Sequence, residues 1–487
     1  MGIPRRRLFV PTWDLGKGRW SPVTSLTKLL LTAIDLALWI AVIFATAGPL
    51  VISGLTNMTL DLNVFAALDS QNYAGLTPSS RRHFLLVITS ANLKQRLDNG
   101  TMRRCPFAGL DNTSSEPLSE ISGAIDHGGH QPQMLLVLMD SQPEWATTVG
   151  YPLPFYIIGF LYASYDLQRA PPSADAPLAL TFGIKWMIVV HVAIVSGCLL
   201  SNNNPSTASS FVPGNLVPVT RAPLPDIFPC RYQPVSFWDR GSNKNIWLNR
   251  ITENCDNDAT AQPIGTPCQD RQEHVMLRAV REHLEIGMWQ YLLAILLPAI
   301  TLTTLPYIAG AYLTYQTAPK GFGCLSLTLA CYAGSQILVI FFHELKRHAP
   351  EPRDPVSSAP TPAPKQGFVR RFRSDIVYLG PRIYRAALLP FYLTACLVSL
   401  LVALGEPIMS AAGFYNHCRC LVNVNIWLHI DRAFVPLTFD YDSSPTSYGG
   451  WVNMGYVAAL FMVLCTYASW YYQHRMKERY CNIVRAL

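Results

Sequence analysis

The sequence predicts an α-helical polytopic membrane protein with about six transmembrane helices and a small lumenal or extracellular α/β cap. Three observations predict this fold class. Half of the 487 residues are apolar and only 14% are charged, which is unusual for a purely soluble chain. Six apolar runs approach or exceed the roughly 20 helical residues that cross about 30 Å of hydrocarbon. A strictly alternating segment near Ile426 indicates a strand outside the bilayer.

The first apolar run follows a basic tail and is too long for the apolar core of a cleaved signal peptide. We therefore interpret it as an uncleaved signal anchor. The predicted transmembrane helices are residues 29–55, 186–201, 287–312, 322–342, 386–405 and 453–472. The second of these is short. A further run at 151–165, with two prolines near its start, is predicted to be buried or interfacial and not to span.

Basic residues in short flanking segments set the orientation, because cytoplasmic flanks retain Lys and Arg. Residues 1–28 contain six basic residues and one acidic residue, and Glu344–Arg385 contains nine and four. The tail at 473–487 is also basic. Six spans place all three segments, and hence both termini, in the cytosol. The scheme gives cytosolic segments at 1–28, 202–286, 343–385 and 473–487, and external segments at 56–185 and 406–452.

The three Asn-x-Ser/Thr sequons support this orientation. Asn57, Asn99 and Asn112 all lie between the first two predicted spans. We therefore expect the 56–185 segment to be an external, glycosylated loop domain. The segment at 202–286 has nearly balanced charges, and it would move to the external side if residues 151–165 also crossed the membrane.

The second external segment carries the clearest strand pattern. Apolar residues alternate with polar or aromatic ones from position 422 onward, at Val422, Val424, Ile426, Leu428 and Ile430. A following run, AFVPLTF, can pair with this strand as a hairpin. Isolated hairpins are marginal in water, so we expect it to pack on the 56–185 loop. That loop contains apolar runs at 83–89 and 134–139, predicted as buried strands or short helices.

The cytosolic segments are predicted to be linkers with one helix. Residues 349–367 and 202–226 are rich in Pro and Ser, whereas Gln269–Glu285 suits a charged helical stalk that runs into the third span. We expect the basic and Pro-rich segments to contact cytosolic protein partners and the spans to contact the lipid bilayer. The net charge of +7 lies on these flanks, so no nucleic-acid partner is predicted.

The external cysteines are predicted to form a disulfide. Cys105 would pair with either Cys418 or Cys420 and so staple the two external loops, because a bond between Cys418 and Cys420 themselves would be strained. An alternative is a metal site at His417, Cys418, Cys420 and His429, joined by His127 and His130 from DHGGH. The spacing matches no zinc finger, and we predict neither a metal nor another cofactor.

Ionisable residues inside predicted spans are functional candidates because they are costly in lipid. His191 lies midway along the second span, Asp35 lies near the start of the first, and Glu406 closes the fifth. Asp35 and Glu406 can be interfacial. For His191 we favour a neutral imidazole hydrogen-bonded between helices over a proton relay.

The C-terminal pattern GGWVNMGY…ASWYYQHRMKERY resembles uncharacterised multi-pass membrane proteins of filamentous fungi. This resemblance covers the last hundred residues and implies no activity.

The predicted function is that of a glycosylated plasma-membrane or secretory-pathway protein acting as a non-enzymatic sensor or scaffold. No nucleotide-binding loop or hydrolase motif is visible in the sequence. One alternative is a transporter or channel in which Asp35, His191 and Glu406 line a polar path. A second alternative is a membrane-embedded enzyme that uses the lumenal His/Cys cluster.

Overall fold

The structure is a computed structural model, and the residues it describes are predominantly helical. The described residues are 26–70, 75–90, 92–95, 130–140, 142, 145, 149–169, 175–201, 232–261, 268–316, 323–348, 387–405, 408, 412 and 445–487.

Within the described residues, the elements follow one another along the chain as helices interrupted by one small pair of strands. They are α1 Leu26–Asp69, α2 Pro78–Ser90, β1 Leu93–Gln95, α3 His130–Asp140, α4 Pro152–Arg169, α5 Asp175–Gly197, β2 Tyr232–Pro234, α6 Arg240–Ala261, α7 Cys268–Leu284, α8 Leu297–Gln316, α9 Cys324–His348, α10 Ala387–Gly405 and α11 Pro445–Ala486. A helical turn at Met288–Gln290 and a π-helical segment at Tyr291–Leu296 lead into α8.

Six helical segments in the described part of the chain are long and apolar enough to cross a membrane, in agreement with the predicted number. They are Ala33–Asp69, Leu180–Gly197, Val275–Gln316, Leu325–Lys346, Ala387–Gly405 and Gly449–Ala486. This composition defines a multi-pass membrane protein. Most of these segments begin earlier or end later than the apolar runs that predicted them, because polar residues at their ends pack against other helices.

The transmembrane core lies between α1, α5, α8 and α9. Its buried residues include Phe44, Ile52, Ile188, Val195, Ile295, Tyr307, Leu329 and Tyr332. The rings of Tyr307 and Tyr332 contact each other in a tilted arrangement, with their centroids 4.3 Å apart. We refer to the helices around this core, together with α10, α4 and the first half of α11, as the bundle.

A second core joins the ends of α1 and α11 to α2, α3, α6 and α7. Its buried residues include Leu60, Phe65, Phe84, Ile88, Leu138, Trp247, Leu248, Val280, Met476 and Tyr480. We call this unit the cap domain. At 1.5 Å per residue, the 44-residue α1 is about 66 Å long, which is twice the thickness of the hydrocarbon. Helix α1 therefore serves both the bundle and the cap domain.

The predicted α/β character of the cap is not seen in the described residues. The apolar runs at 83–89 and 134–139 form α2 and α3, so their helical interpretation is the correct one. The two strands, β1 and β2, are three residues each. The predicted hairpin that begins at Val422 lies outside the described residues.

The segments at 56–185 and 202–286 were predicted on opposite sides of the membrane, but the structure joins them. Strand β1 pairs antiparallel with β2, with Lys94 opposite Gln233, and both segments contribute to the cap core. Paired strands lie about 5 Å apart, whereas the hydrocarbon is about 30 Å thick. The parts of the two segments that form the cap domain therefore lie on the same side, and their predicted placement on opposite sides is wrong.

The same core contains the end of the chain. Met476, Tyr480 and Val484 of α11 pack with residues of α2 and α3. The C-terminal tail therefore shares a side with α2 and α3, which belong to the predicted external loop. The predicted cytosolic C-terminus and the predicted external 56–185 loop cannot both be correct.

The structure also corrects the prediction that Gln269–Glu285 is a charged stalk. Helix α7 exists as predicted, but it does not run continuously into the bundle, because Gly287 has an extended backbone (φ −63°, ψ 152°) that separates it from the next helical turn. Leu277, Val280 and Leu284 of α7 are buried in the cap core. Helix α7 is thus a component of the cap domain and not a free stalk.

Candidate functional site

A buried ion pair links the cap domain to α1. The Lys244 ammonium forms a salt bridge with Asp61 and donates a hydrogen bond to the side-chain carbonyl of Asn57. The Asn57 amide donates in turn to the Ser201 hydroxyl, 3.1 Å away. Lys244 and Asn57 are 0% exposed and Asp61 is 1% exposed. These four residues, which we call the junction cluster, connect α1, α6 and the segment that follows α5.

The register of two amphipathic helices creates this cluster. On α1, polar residues at positions 53, 57 and 61 share one face at spacings of four, and Lys244 lies at the matching level of α6. Apolar residues of both helices lie beside the polar pair and belong to one buried cluster, at Leu60, Val64, Leu248 and Ile251. The polar pair therefore fixes the alignment of the apolar contact beside it.

Helix α6 approaches α1 very closely at Gly241. The Gly241 amide donates to the Ser53 hydroxyl at 3.1 Å. A Cβ atom at Gly241 would lie 2.8 Å from the Ser53 carbonyl oxygen and 2.9 Å from the Thr56 Cβ. Only glycine fits this contact without displacing α6, and the close approach brings Lys244 within reach of Asp61.

The electrostatics of the junction cluster favour a salt bridge between Lys244 and Asp61 that does not separate. Burial lowers the pKa of Lys244, and the Asp61 carboxylate opposes this change. One helical turn earlier, Arg240 is 2% exposed, and burial lowers the pKa of its guanidinium to about 10. Its guanidinium lies 4.3 Å above the Phe237 ring. A buried pair of this kind is costly to disrupt on one side only, because the remaining charge is left uncompensated.

Additional polar contacts join α11 to the same region. The Tyr472 hydroxyl donates to the Met58 carbonyl oxygen at 3.1 Å. The Trp145 indole donates to the Ser469 hydroxyl at 3.0 Å, and the Cys198 sulfur lies 2.9 Å from the same oxygen. The boundary between bundle and cap domain is therefore held by side-chain hydrogen bonds from three directions.

Within the bundle, His191 hydrogen-bonds a backbone carbonyl that a proline leaves without its helical donor. Pro306 has no backbone N–H, so the carbonyl of Leu302, four residues earlier, loses its normal helical donor. His191 Nδ1 lies 2.7 Å from this oxygen, and because a carbonyl can only accept, Nδ1 carries the proton. The ring is 0% exposed and meets Phe461 edge-on. The predicted interhelical hydrogen bond of His191 is thus present.

We expect the cost of losing the His191 side chain to depend on Pro306. His191→Leu should lower the free energy of unfolding by about 1–2 kcal/mol, since the Leu302 carbonyl becomes unsatisfied. In a Pro306→Ala background, the new Ala N–H satisfies that carbonyl and the cost should shrink. Unfolding of the four proteins in one detergent gives the coupling energy. Equal costs in both backgrounds would contradict this assignment.

At the kink in α1, a side chain likewise takes the place of a backbone hydrogen bond. Thr46 has non-helical dihedral angles (φ −126°, ψ 25°), and Gln336 of α9 inserts its amide there. Gln336 donates to the Phe44 carbonyl at 2.8 Å and accepts from the Gly48 amide at 3.2 Å. The side chain thus replaces the missing bond between residues 44 and 48, as inserted groups do at helix kinks.

The predicted polar path is not assembled in the described residues. Asp35 lies in the half of α1 that precedes the kink, nine residues or about 13.5 Å of helix before Phe44, and it is partly exposed. His191 packs among α5, α8 and α11. Glu406 lies outside the described residues. Asp35 and His191 therefore belong to separate surroundings.

The other predicted site residues are mostly beyond the described part of the chain. Asn99, Asn112, Cys105, Cys418 and Cys420 lie outside it, and so do His127, His417 and His429 of the alternative metal site, whereas His130 is the first residue of α3. The cysteines found as free thiols are Cys198, Cys331, Cys396, Cys465 and Cys481. No group of three or more metal-ligating residues occurs in the stretches that the structure describes.

Asn57 is described, and its environment corrects a prediction. Its side chain is buried within α1, where it donates to Ser201 and accepts from Lys244. A glycan requires an exposed asparagine side chain. Glycosylation at Asn57 is therefore incompatible with this packing.

The junction cluster was not predicted from the sequence because its members are far apart in the chain, and Asn57, Asp61 and Lys244 occur in segments predicted as loops. Asp61 and Lys244 are separated by 183 positions. The available signal was the four-residue spacing of polar residues at the end of α1.

Fold and cluster together define a multi-pass helical membrane protein whose cap domain is joined to the bundle by buried polar contacts. Comparison with known proteins finds no matching family, curated protein or solved structure. The resemblance to fungal membrane proteins stays a prediction.

Proposed function

We propose that this protein is a non-enzymatic membrane sensor or scaffold in which the cap domain and the bundle move as one unit. The observation that carries the proposal is the junction cluster, because Lys244, Asp61 and Asn57 bury a salt bridge where the two units meet. Such contacts have one preferred geometry and resist sliding. A change in the cap domain is therefore transmitted to the bundle.

The long helices support this coupling. Helix α1 passes from the transmembrane core into the cap core, and α11 does the same over 42 residues. A rigid element shared by two units carries a displacement from one to the other. A binding event on the cap domain would in this way alter helix packing inside the membrane, which is what a sensor requires.

Distance measurements between the two units test the proposal. Spin labels on non-natural amino acids at Glu282, exposed on α7, and Tyr312, exposed on α8, would report the distance by pulsed electron paramagnetic resonance in nanodiscs. We expect one narrow distribution for the native sequence and a broad one for Lys244→Met. Lys346→Met, an exposed lysine on α9, is the matched control and should leave the distribution narrow. A broad distribution in the native protein would refute the coupling.

A further inference from the structure

Helix α4 has two different faces. Leu153, Phe160, Ser164 and Leu167 are buried. The opposite face carries large exposed apolar residues, at Phe155 (77% exposed), Ile158 (59%), Tyr162 (66%) and Tyr165 (44%). These exposed positions follow spacings of three and four, so they form one continuous stripe along the helix. A stripe of this size in water would be an interaction surface.

The buried face of α4 lies along two helices of the bundle. Just before α4 begins, Val149 lies against Gly197 of α5, where an added Cβ would be 2.8 Å from the valine. Further along, Phe160 lies against Gly183, and Ser164 lies against Gly455 of α11. The Tyr156 hydroxyl also donates to the Gly183 carbonyl. Small residues at these crossings are typical of helices packed within membranes.

These contacts give the direction and depth of α4. The start of α4 is level with the end of α5, and its end is level with the earlier parts of α5 and α11. Trp145, which lies just before α4, contacts Ser469. Gln168, which lies near the end of α4, contacts Tyr456. The thirteen residues between positions 456 and 469 correspond to about 20 Å of helix. Helix α4 therefore extends antiparallel to α5 through most of the depth of the bundle.

The connectivity requires a crossing in this region. Helix α3 and helix α6 both pack in the cap core, so the chain is on the same side before α4 and after α5. Helix α5 contains the candidate span Leu180–Gly197. One crossing alone would leave α6 on the opposite side from α3. A second crossing is needed between them, and α4 is the helix that the described residues provide.

We infer that α4 is a seventh membrane-crossing helix whose exposed stripe contacts lipid acyl chains. Its 18 residues span about 27 Å, close to the hydrocarbon thickness. Positions 151–165 carry no charge. At the far end, the Arg169 guanidinium lies 4.6 Å from the Tyr165 ring centroid, an aromatic and basic pair suited to the membrane interface.

Side-specific labelling tests the crossing. Asp140→Cys, Arg169→Cys and Glu282→Cys place exposed thiols after α3, at the end of α4 and on α7. Sealed vesicles of each orientation would be treated with a membrane-impermeant maleimide, and each site would be read in its own peptide by mass spectrometry. We expect positions 140 and 282 to be labelled from one face and position 169 from the other. Labelling of position 169 from the same face as position 140 would overturn the inference.

Lipid contact is tested separately on the stripe. A spin label at Tyr162 should collide more with oxygen, which concentrates in lipid, than with a water-soluble nickel complex. The same label at Glu282 should show the reverse. Preference for nickel at position 162 would place the stripe in water, and low collision with both reagents would place it against protein. Either result would overturn the assignment to lipid.

Discussion

Replacing Lys244 with methionine is expected to lower the free energy of unfolding by about 3–5 kcal/mol, the usual cost of breaking a buried ion pair on one side. Methionine retains most of the lysine volume but removes the charge. Asp61 then stays buried without its cation, and Asn57 loses a donor. Denaturant or thermal unfolding of the purified protein in a mild detergent measures the change.

Two further variants separate charge from packing. Lys346→Met removes an exposed lysine and should change the stability by less than about 0.5 kcal/mol. Lys244→Met combined with Asp61→Leu removes both charges, so it should recover much of the loss. A loss below about 1 kcal/mol for Lys244→Met, or no recovery in the double variant, would show that the ion pair does not hold the junction.

Replacing Gln336 with methionine is expected to cost about 2–3 kcal/mol. Methionine has a similar length but cannot bridge the broken turn of α1. The Gly48 amide then loses its acceptor, while the Phe44 carbonyl retains the Tyr332 hydroxyl at 2.9 Å. A buried N–H without a partner costs about 1–3 kcal/mol, and the loss of the Gln336 bond to Phe44 adds to it. Unfolding under the same conditions as for Lys244 measures this cost.

The control for this prediction is Gln168→Met on α4. Gln168 is exposed and accepts only a weak hydrogen bond from Tyr456 at 3.4 Å, so we expect almost no change. An effect of Gln336→Met as small as that of Gln168→Met would mean that the α1 kink does not depend on the inserted amide.

The helices of the bundle could be predicted because long apolar runs are a strong signal in the sequence. Runs of about twenty apolar residues must be helical in lipid, because the backbone finds no other hydrogen-bond partners there. Residues 324–342 of the fourth predicted span therefore lie within α9, and residues 387–405 of the fifth form α10. The ends of the helices were less predictable. Residues 56–69 of α1 are polar at intervals and read as a loop, but they are helical because α6 covers their polar face.

The orientation could not be predicted from flanking charges alone. Charge counts assign sides only when the number of crossings is correct, and the run at 151–165 was not counted as a span because it is short and has two prolines near its start. Packing carries independent information, because segments that share a core must share a side. The contact between β1 and β2 supplies that information, whereas neither strand has a pattern long enough to predict.

Two cysteines at facing positions of β1 and β2 test the one-sided cap domain most directly. Lys94 and Gln233 are register partners in the antiparallel pair, so Lys94→Cys with Gln233→Cys should form a disulfide in native membranes under mild oxidation. Mass spectrometry of the linked peptides would identify it. We expect this cross-link in the double variant and labelling of both single variants from the same face of the membrane. Absence of the cross-link, with the two single variants labelled from opposite faces, would contradict it.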